Sequence, residues 1–325
     1  MIVIWQVTEV CNLGCPFCAY DHDLRFSRRS ADPAAILAFG AVLAELARTT
    51  GDPVLVSWLG GEPLIWPPLA ALSRTFRHDL GLRLGVTTNG TTLGEEPVRT
   101  RLLEDYAELT VSVDGLEATH DQLRRWPGGF ARLRRGLSVL AETKARTGRG
   151  PILRANVVLM RDNVGELEAV CRELAGWGVT EVTFNQLGGR DRPEFFADHR
   201  LLPEQTDALA VDLPGIRRRL AALGLRLQGG TGYLERIRAS SRNLPLAVAD
   251  CAPGRDFLFV DEQGRAAPCH FTVAKLGRSI ASIASVDDLD RMVATFSEDR
   301  RKAPPPVCSD CMSTQIFEKF TGAEG

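Results

Sequence analysis

A chain of 325 residues, 44% of them hydrophobic, with a formal charge of −2, is long enough to bury one large core and a smaller one. That charge gives no reason to expect a bulk nucleic-acid binder, and the basic runs Arg25–Arg29 and Arg217–Arg219 read as solvated faces. No apolar run has the length to cross a bilayer, and no basic region followed by an apolar stretch marks a secretory signal. The eight cysteines therefore point to metal ligation in the reducing cytoplasm rather than to disulfides.

The apolar run Ile2–Val7 predicts a first strand, and the loop behind it reads Cys11-Asn-Leu-Gly-Cys15-Pro-Phe17-Cys18. Three thiolates can hold three corners of a four-iron cluster and leave the fourth iron open to a ligand, where a fully ligated cluster only passes electrons. A structural zinc site would need a fourth ligand, for which His22 is the nearest source. A helix is expected over Pro33–Arg48, then a strand Val54–Trp58 running into Gly60-Gly61-Glu62-Pro63. There two glycines allow close backbone approach, the carboxylate can accept from an ammonium, and proline stops the strand.

A helix over Leu69–His78 leads to a strand Leu82–Thr87 ending in Thr88-Asn89-Gly90, and a fourth strand spans Leu109–Val113. Period-two alternation puts Thr110, Ser112 and Asp114 on one face and Leu109, Val111 and Val113 on the other. A polar face on an interior strand needs ligands or hydrogen bonds, so it is assigned to a barrel lumen. Strand Ile152–Leu159 repeats the pattern with Arg154 and Asn156, behind a helix Phe130–Arg146. The helix Val164–Trp177 carries Cys171 on its apolar side as a structural thiol. A strand Glu181–Asn185 completes six β/α units, with a further helix over Pro203–Leu223. Repeated β/α units predict an α/β barrel, open or closed, with chemistry on the loops after the strands.

Toward the C-terminus a β-hairpin is expected from Phe257–Val260 and Arg265–Ala267, turned by Glu262-Gln-Gly264. Cys251, Cys269, Cys308 and Cys311 surround it. Four thiolates suffice for one cluster with every iron ligated, and a zinc ribbon is the alternative.

The C-x3-C-x2-C spacing with Phe17, the GGEP element, and Ser112-Val-Asp114-Gly115 followed by His120-Asp121, Arg124 and Gly128-Gly129-Phe130 resemble radical S-adenosylmethionine (SAM) enzymes bearing a C-terminal SPASM or twitch domain. The resemblance implies a partial (β/α)6 barrel over residues 1–245 and a twitch domain over 246–325, since the cysteines are too few for a full SPASM domain. It implies a [4Fe–4S] cluster on Cys11, Cys15 and Cys18 that binds SAM. The SAM pocket would then be formed by Phe17, Gly60, Gly61, Glu62, Thr88, Asn89, Ser112, Asp114, Arg154 and Asn156. A second, auxiliary [4Fe–4S] cluster would sit on Cys251, Cys269, Cys308 and Cys311.

In that family an electron from a donor such as flavodoxin or ferredoxin cleaves SAM to a 5′-deoxyadenosyl radical, which takes a hydrogen atom from the substrate. The auxiliary cluster would accept an electron in an oxidation, with Asp191 or Asp114 as the base. The loop Gly188–Arg192, with two arginines and an aspartate, favours a small hydroxylated natural product of sugar or aminocyclitol type, to be oxidised, deoxygenated or epimerised. With the first strand opening at Ile2, no peptide-recognition domain is expected ahead of the barrel. A maturase of a ribosomally made peptide is the alternative, and a non-catalytic iron–sulfur electron carrier is the alternative of another class. No nucleic-acid or membrane partner is expected.

Overall fold

Six parallel strands form the sheet that the sequence predicts. They are β1 (Ile2–Thr8), β2 (Leu55–Gly60), β3 (Arg83–Thr88), β4 (Glu108–Ser112), β5 (Ile152–Leu159) and β6 (Glu181–Gln186), paired in that order. Three residues of β1, Val3, Trp5 and Val7, are buried toward the helices. Trp5 meets Phe39 of the helix Pro33–Thr50 edge-on at 5.7 Å, and its register partner Trp58 packs on Phe76 at 5.1 Å. On β4 and β5, Leu109, Val111, Leu153, Ala155 and Val157 are buried, while Thr110, Ser112, Arg154 and Asn156 are half-buried between them. That pattern is a strand with one face on the helix layer and one on a polar lumen. The computed structural model describes residues 1–189, 191–248 and 251–311.

The sheet does not stop at six strands. A two-residue β7 (Arg226–Leu227) extends it beyond β6, and β8 (Phe257–Val260) pairs in parallel with β1 on the other side. The expected hairpin forms from β8 and β9 (Arg265–Ala267), and β10 (Arg278–Ser279) adds an antiparallel edge. The C-terminal hairpin is thus built onto the barrel sheet, giving ten strands in the order β10-β9-β8-β1-β2-β3-β4-β5-β6-β7 among the described residues.

Among the described residues one helix, Pro33–Thr50, is long and apolar enough to cross a membrane by length and composition, which corrects the expectation that no apolar run has that length. Its Ile36, Phe39, Leu43 and Leu46 are buried in the core, which accounts for its apolar character. Asp32 caps its start by accepting from the Ala34 N–H, and Gly51 in the left-handed region ends it. Helices absent from the sequence reading include Glu96–Asp105, Glu117–Arg124, Pro193–His199, Thr231–Ser241 and Val286–Lys302. Most are short and charged, so their buried stripes are too thin to register as periodicity. The expected helix Leu69–His78 is helical only to Arg74 and then widens into a π-turn through Asp79.

Candidate functional site

The cysteine loop leaves β1 and returns beside it. Thr8 bridges Ser30, the Ala31 N–H donates to the Val7 carbonyl (2.8 Å), and the Glu9 N–H donates to the Arg29 carbonyl (2.8 Å). The Arg28 guanidinium donates to the carbonyls of Glu9, Tyr20, Asp21 and Leu24, closing the loop from inside. Cys15 is buried, and Cys11 and Cys18 are half-buried. Burial raises all three thiols, Cys18 to about 12, and the sulfurs raise one another where they interact. A group of buried thiols that repel one another's thiolates is a site that a cationic metal centre would satisfy.

The turn after β2 is locked to this loop. A Cβ on Gly60 would lie 2.6 Å from the Thr8 carbonyl oxygen, and one on Gly61 would lie 2.3 Å from that of Val10. Only glycine permits this approach, and it lets the Gly61 and Glu62 N–H groups donate to Thr8 and Val10 at 2.7 and 2.8 Å. Glu62 is held by the turn and by the end of β3. Fully buried, it accepts from Thr88 Oγ1 (2.7 Å), the Asn89 N–H (2.6 Å) and the Leu64 N–H (3.0 Å). Burial outweighs these donors and pushes its carboxyl up to about 7. Asn89 in turn donates from Nδ2 to Asn12 Oδ1 (2.8 Å), with Cys11 Sγ 3.8 Å away. Gly60, Gly61, Glu62, Thr88 and Asn89 are therefore brought together around the cysteine loop.

Asp114 is a structural hub, which corrects its reading as a base. Its Oδ2 accepts from the Arg124 guanidinium at 2.6 Å, its Oδ1 accepts from the Val158 N–H at 2.8 Å, and its carbonyl accepts from Asn163 Nδ2 at 2.8 Å. Both carboxylate oxygens are engaged and none of the residue is exposed, so its charge is committed to holding Arg124 and the β5 end. The Asp114 N–H donates to His120 Nδ1 at 3.3 Å. Burial, then Arg124, push this imidazole down to about 3, so it is neutral.

The arginine that Asp114 holds lies against the cysteines. Arg124 Nη1 is 4.0 Å from Cys15 Sγ, and its guanidinium sits 5.4 Å from the Phe17 ring centroid. Burial opposes its charge, but Asp114, Cys15 and Cys18 hold its pKa above the ordinary value. Phe17 also packs on Phe195 at 6.1 Å.

Arg154 is placed elsewhere. It pairs with Glu108 (2.8 Å) and Glu181 (2.7 Å) near the starts of β4 and β6, and Arg226 also reaches Glu181. This network neutralises the base of the lumen, at the opposite strand ends from the cysteine loop, so Arg154 belongs to it rather than to a cofactor pocket. Asn156, one pleat higher, accepts on Oδ1 from Thr183 (2.9 Å) and Asn185 (3.2 Å). Ser112, its register partner, is half-buried on the same face.

At the mouth, Asp191 is exposed and close enough for its charge to reach Tyr20 and His270. Arg190 lies outside the described residues. Arg192 is engaged, donating to Asp21 (3.0 Å), Glu194 (2.6 Å) and the Cys18 carbonyl (3.4 Å). Asp21, His22 and Asp23 cluster here, but Asp21 holds Arg192 and Asp23 holds Arg125 at 2.8 Å. Two links escaped the sequence reading. Tyr20 Oη donates to Gln6 Oε1 (2.7 Å), and Gln6 Nε2 donates to Glu262 (2.8 Å), tying the cysteine loop to the C-terminal hairpin. Gln6 was detectable as the polar residue on the lumen face of an apolar strand. Glu262, 256 positions away, had no local signal. Arg124 stood in the quoted motif without a role.

Cys251, Cys269, Cys308 and Cys311 line one small cavity with Thr272 and Arg300. Burial pushes Cys251 up to about 11, and the other three sulfurs add to that shift while Arg300 opposes it. The sequence had grouped these four, and the fold makes them neighbours.

A sequence profile described as the Radical SAM superfamily matches residues 5–174. An AdoMet-dependent heme synthase of Methanosarcina barkeri is 36% identical over 143 residues, covering 43% of this chain and 38% of that protein. The mycofactocin maturase MftC of Mycobacterium ulcerans is 23% identical over 313 residues, covering 94% of this chain and 79% of that protein. Among solved structures, Streptococcus suis SuiB bound to precursor peptide SuiA has a TM-score of 0.63 at 16% identity, over 90% of this chain and 65% of that one, a likeness of fold. The alignments span 38% and 50% of the first two curated relatives, the second being an Fe-coproporphyrin III synthase of Methanosarcina barkeri.

Proposed function

The chain belongs to the radical SAM superfamily, and from that premise we propose that it is an oxidoreductase that matures a peptide by hydrogen-atom abstraction. The observation that carries the radical chemistry is the three-cysteine loop hydrogen-bonded to the Gly60–Glu62 turn and to Asn89. When bound, a [4Fe–4S] cluster and SAM supply a 5′-deoxyadenosyl radical through one-electron cleavage of the sulfonium. The chain's own residues do the rest. Cys11, Cys15 and Cys18 hold three irons, Asn89 and Arg124 stand beside two of those sulfurs, and Glu62 fixes the turn. The half-buried Ser112 and Asn156 offer polar contacts on the lumen face, where they can orient a bound cofactor or substrate.

Cys251, Cys269, Cys308 and Cys311 are the ligands of an auxiliary [4Fe–4S] cluster in a twitch-like segment spanning 246–325, of which 249–250 and 312–325 lie outside the described residues. Their convergence on one cavity supports this reading. Within this scheme Asp191, exposed at the mouth, is the acidic group open to a substrate, while Asp114 is not.

For the substrate, a peptide is favoured over a small natural product. The small-molecule expectation rested on the arginines of the loop Gly188–Arg192, and Arg192 is neutralised by Asp21 and Glu194. The maturase similarity extends over 94% of the chain, and the SuiB likeness comes from a complex with a precursor peptide. The test is anaerobic reconstitution followed by SAM, dithionite and deuterated substrates. Deuterium from a peptide in the released 5′-deoxyadenosine supports the proposal. Deuterium from a sugar or aminocyclitol instead returns the small-molecule reading, and reduction of the clusters with SAM intact makes the chain an electron carrier.

A further inference from the structure

Arg124 is a buried cation held where it faces the cysteine loop. Its guanidinium approaches Cys15 Sγ at 4.0 Å on one side and is clamped by Asp114 at 2.6 Å on the other. Asp114 is itself fixed by the Val158 and Asn163 side of the barrel, so the pair is an oriented dipole with its positive end toward the sulfurs. Phe17 covers the guanidinium, and the residue is 9% exposed, so water screens this charge poorly.

A centre held by three thiolates is already anionic, and reduction adds one more negative charge. A poorly screened cation alongside favours the reduced form.

We infer that Arg124 is a positioning residue that sets the reduction potential of the cluster on Cys11, Cys15 and Cys18, with Asp114 as the counter-charge behind it that partly cancels its field at Cys15. The inference rests on the radical SAM reading of that loop. The step concerned is uptake of one electron from an external one-electron reductant, with no bond made or broken in the protein. Removing the cation makes that uptake less favourable and removing the anion makes it more favourable, so the two halves of the dipole carry opposite signs.

The experiment is an EPR-monitored redox titration of anaerobically reconstituted full-length protein. The loop's cluster is recognised by the change in its signal on adding SAM, and iron content is measured in each sample. Arg124→Gln is expected to shift the reduction equilibrium toward the oxidised form by about tenfold or more, a midpoint lower by about 59 mV for a one-electron couple. Arg124→Lys, which keeps the charge, lies within about threefold of the parent, and Arg135→Gln, an exposed change of the same charge on another helix, leaves the midpoint in place. If Arg124→Gln fails to hold the loop's iron, Asp114→Asn decides the matter and must raise the midpoint. An Arg124→Gln protein with full iron and the parent's midpoint overturns the inference, as does an Asp114→Asn midpoint that stays or falls. Absence of any SAM-sensitive signal in the parent overturns the radical SAM reading instead.

Discussion

Cys11, Cys15 and Cys18 share one loop whose two ends are pinned to β1 and whose interior is closed by Arg28. The four C-terminal cysteines come from three separate segments, around Cys251, Cys269 and Cys308–Cys311, that are tied to their surroundings through the backbone. The Cys311 N–H donates to the Leu246 carbonyl (2.9 Å), Arg236 reaches the Cys311 carbonyl, and Arg300 reaches that of Val248 (2.5 Å). The first site is preorganised by the barrel, so a metal there adds reactivity to a fold that stands without it. The second draws its ligands from three separate segments, so a metal there would join them and contribute to folding itself. One arrangement suits chemistry at an open iron and the other suits a closed centre that staples a chain end.

The largest effect separates the two sites by activity. Replacing Cys11, Cys15 and Cys18 together with alanine is expected to abolish 5′-deoxyadenosine release while lowering iron from about eight to about four per chain. Thermal unfolding should move little, because the bonds that pin the loop at Val7, Glu9 and Arg28 are made by backbone carbonyls, amides and a guanidinium rather than by the sulfurs. A large loss of thermal stability in this protein breaks the comparison.

The converse change should separate them by stability. Cys308→Ala and Cys311→Ala are expected to lose the second cluster and lower the thermal midpoint by several degrees, while SAM cleavage continues. Turnover of the substrate should fall at least about tenfold. Wild-type turnover with the second cluster gone would leave that cluster a purely structural part.

Glu62 sharpens the claim that the barrel site stands without a cofactor. Its carboxyl is raised from the ordinary 4.5 to about 7 by burial. Between those values the folded state keeps a proton that the unfolded state has released. Its contribution to stability therefore declines as pH rises through that window and levels off above 7. The size is on the order of 3 kcal/mol, and Glu62→Gln should remove that slope from denaturation curves taken between pH 4.5 and 7. Parallel pH profiles for the two proteins would mean that Glu62 is already ionised in the fold.

The smallest expected effect concerns the lumen. Ser112→Ala should weaken SAM binding about five- to 150-fold, corresponding to a lost contact of roughly 1–3 kcal/mol, with little change in thermal stability. Calorimetric titration of SAM checks it, and unchanged affinity moves Ser112 out of the pocket.

Much of this architecture could be read before the fold was seen. Alternation along β4 and β5 is a local property, and it placed Val111 and Ala155 in the helix layer and Ser112 and Asn156 on the lumen face. Turn chemistry at Glu262-Gln-Gly264 placed the hairpin, with Gly264 in the left-handed conformation. Residue type alone misled where a partner was needed to define a role. Asp114 looked like a base until Arg124 and the Val158 N–H occupied both oxygens, and Arg154 looked like a pocket residue until Glu108 and Glu181 claimed it. The attachment of β8 to β1 was out of reach, because parallel pairing between distant strands leaves no periodic trace in either.

The central claim is that the Cys11–Cys18 loop cleaves SAM reductively, and quantifying products from the anaerobically reconstituted chain tests it most directly. With SAM and dithionite, the account predicts 5′-deoxyadenosine and methionine released together in equal amounts, and neither from the Cys11, Cys15 and Cys18 triple variant. Tightly bound zinc in place of iron, or intact SAM beside a fully reduced cluster, would contradict it.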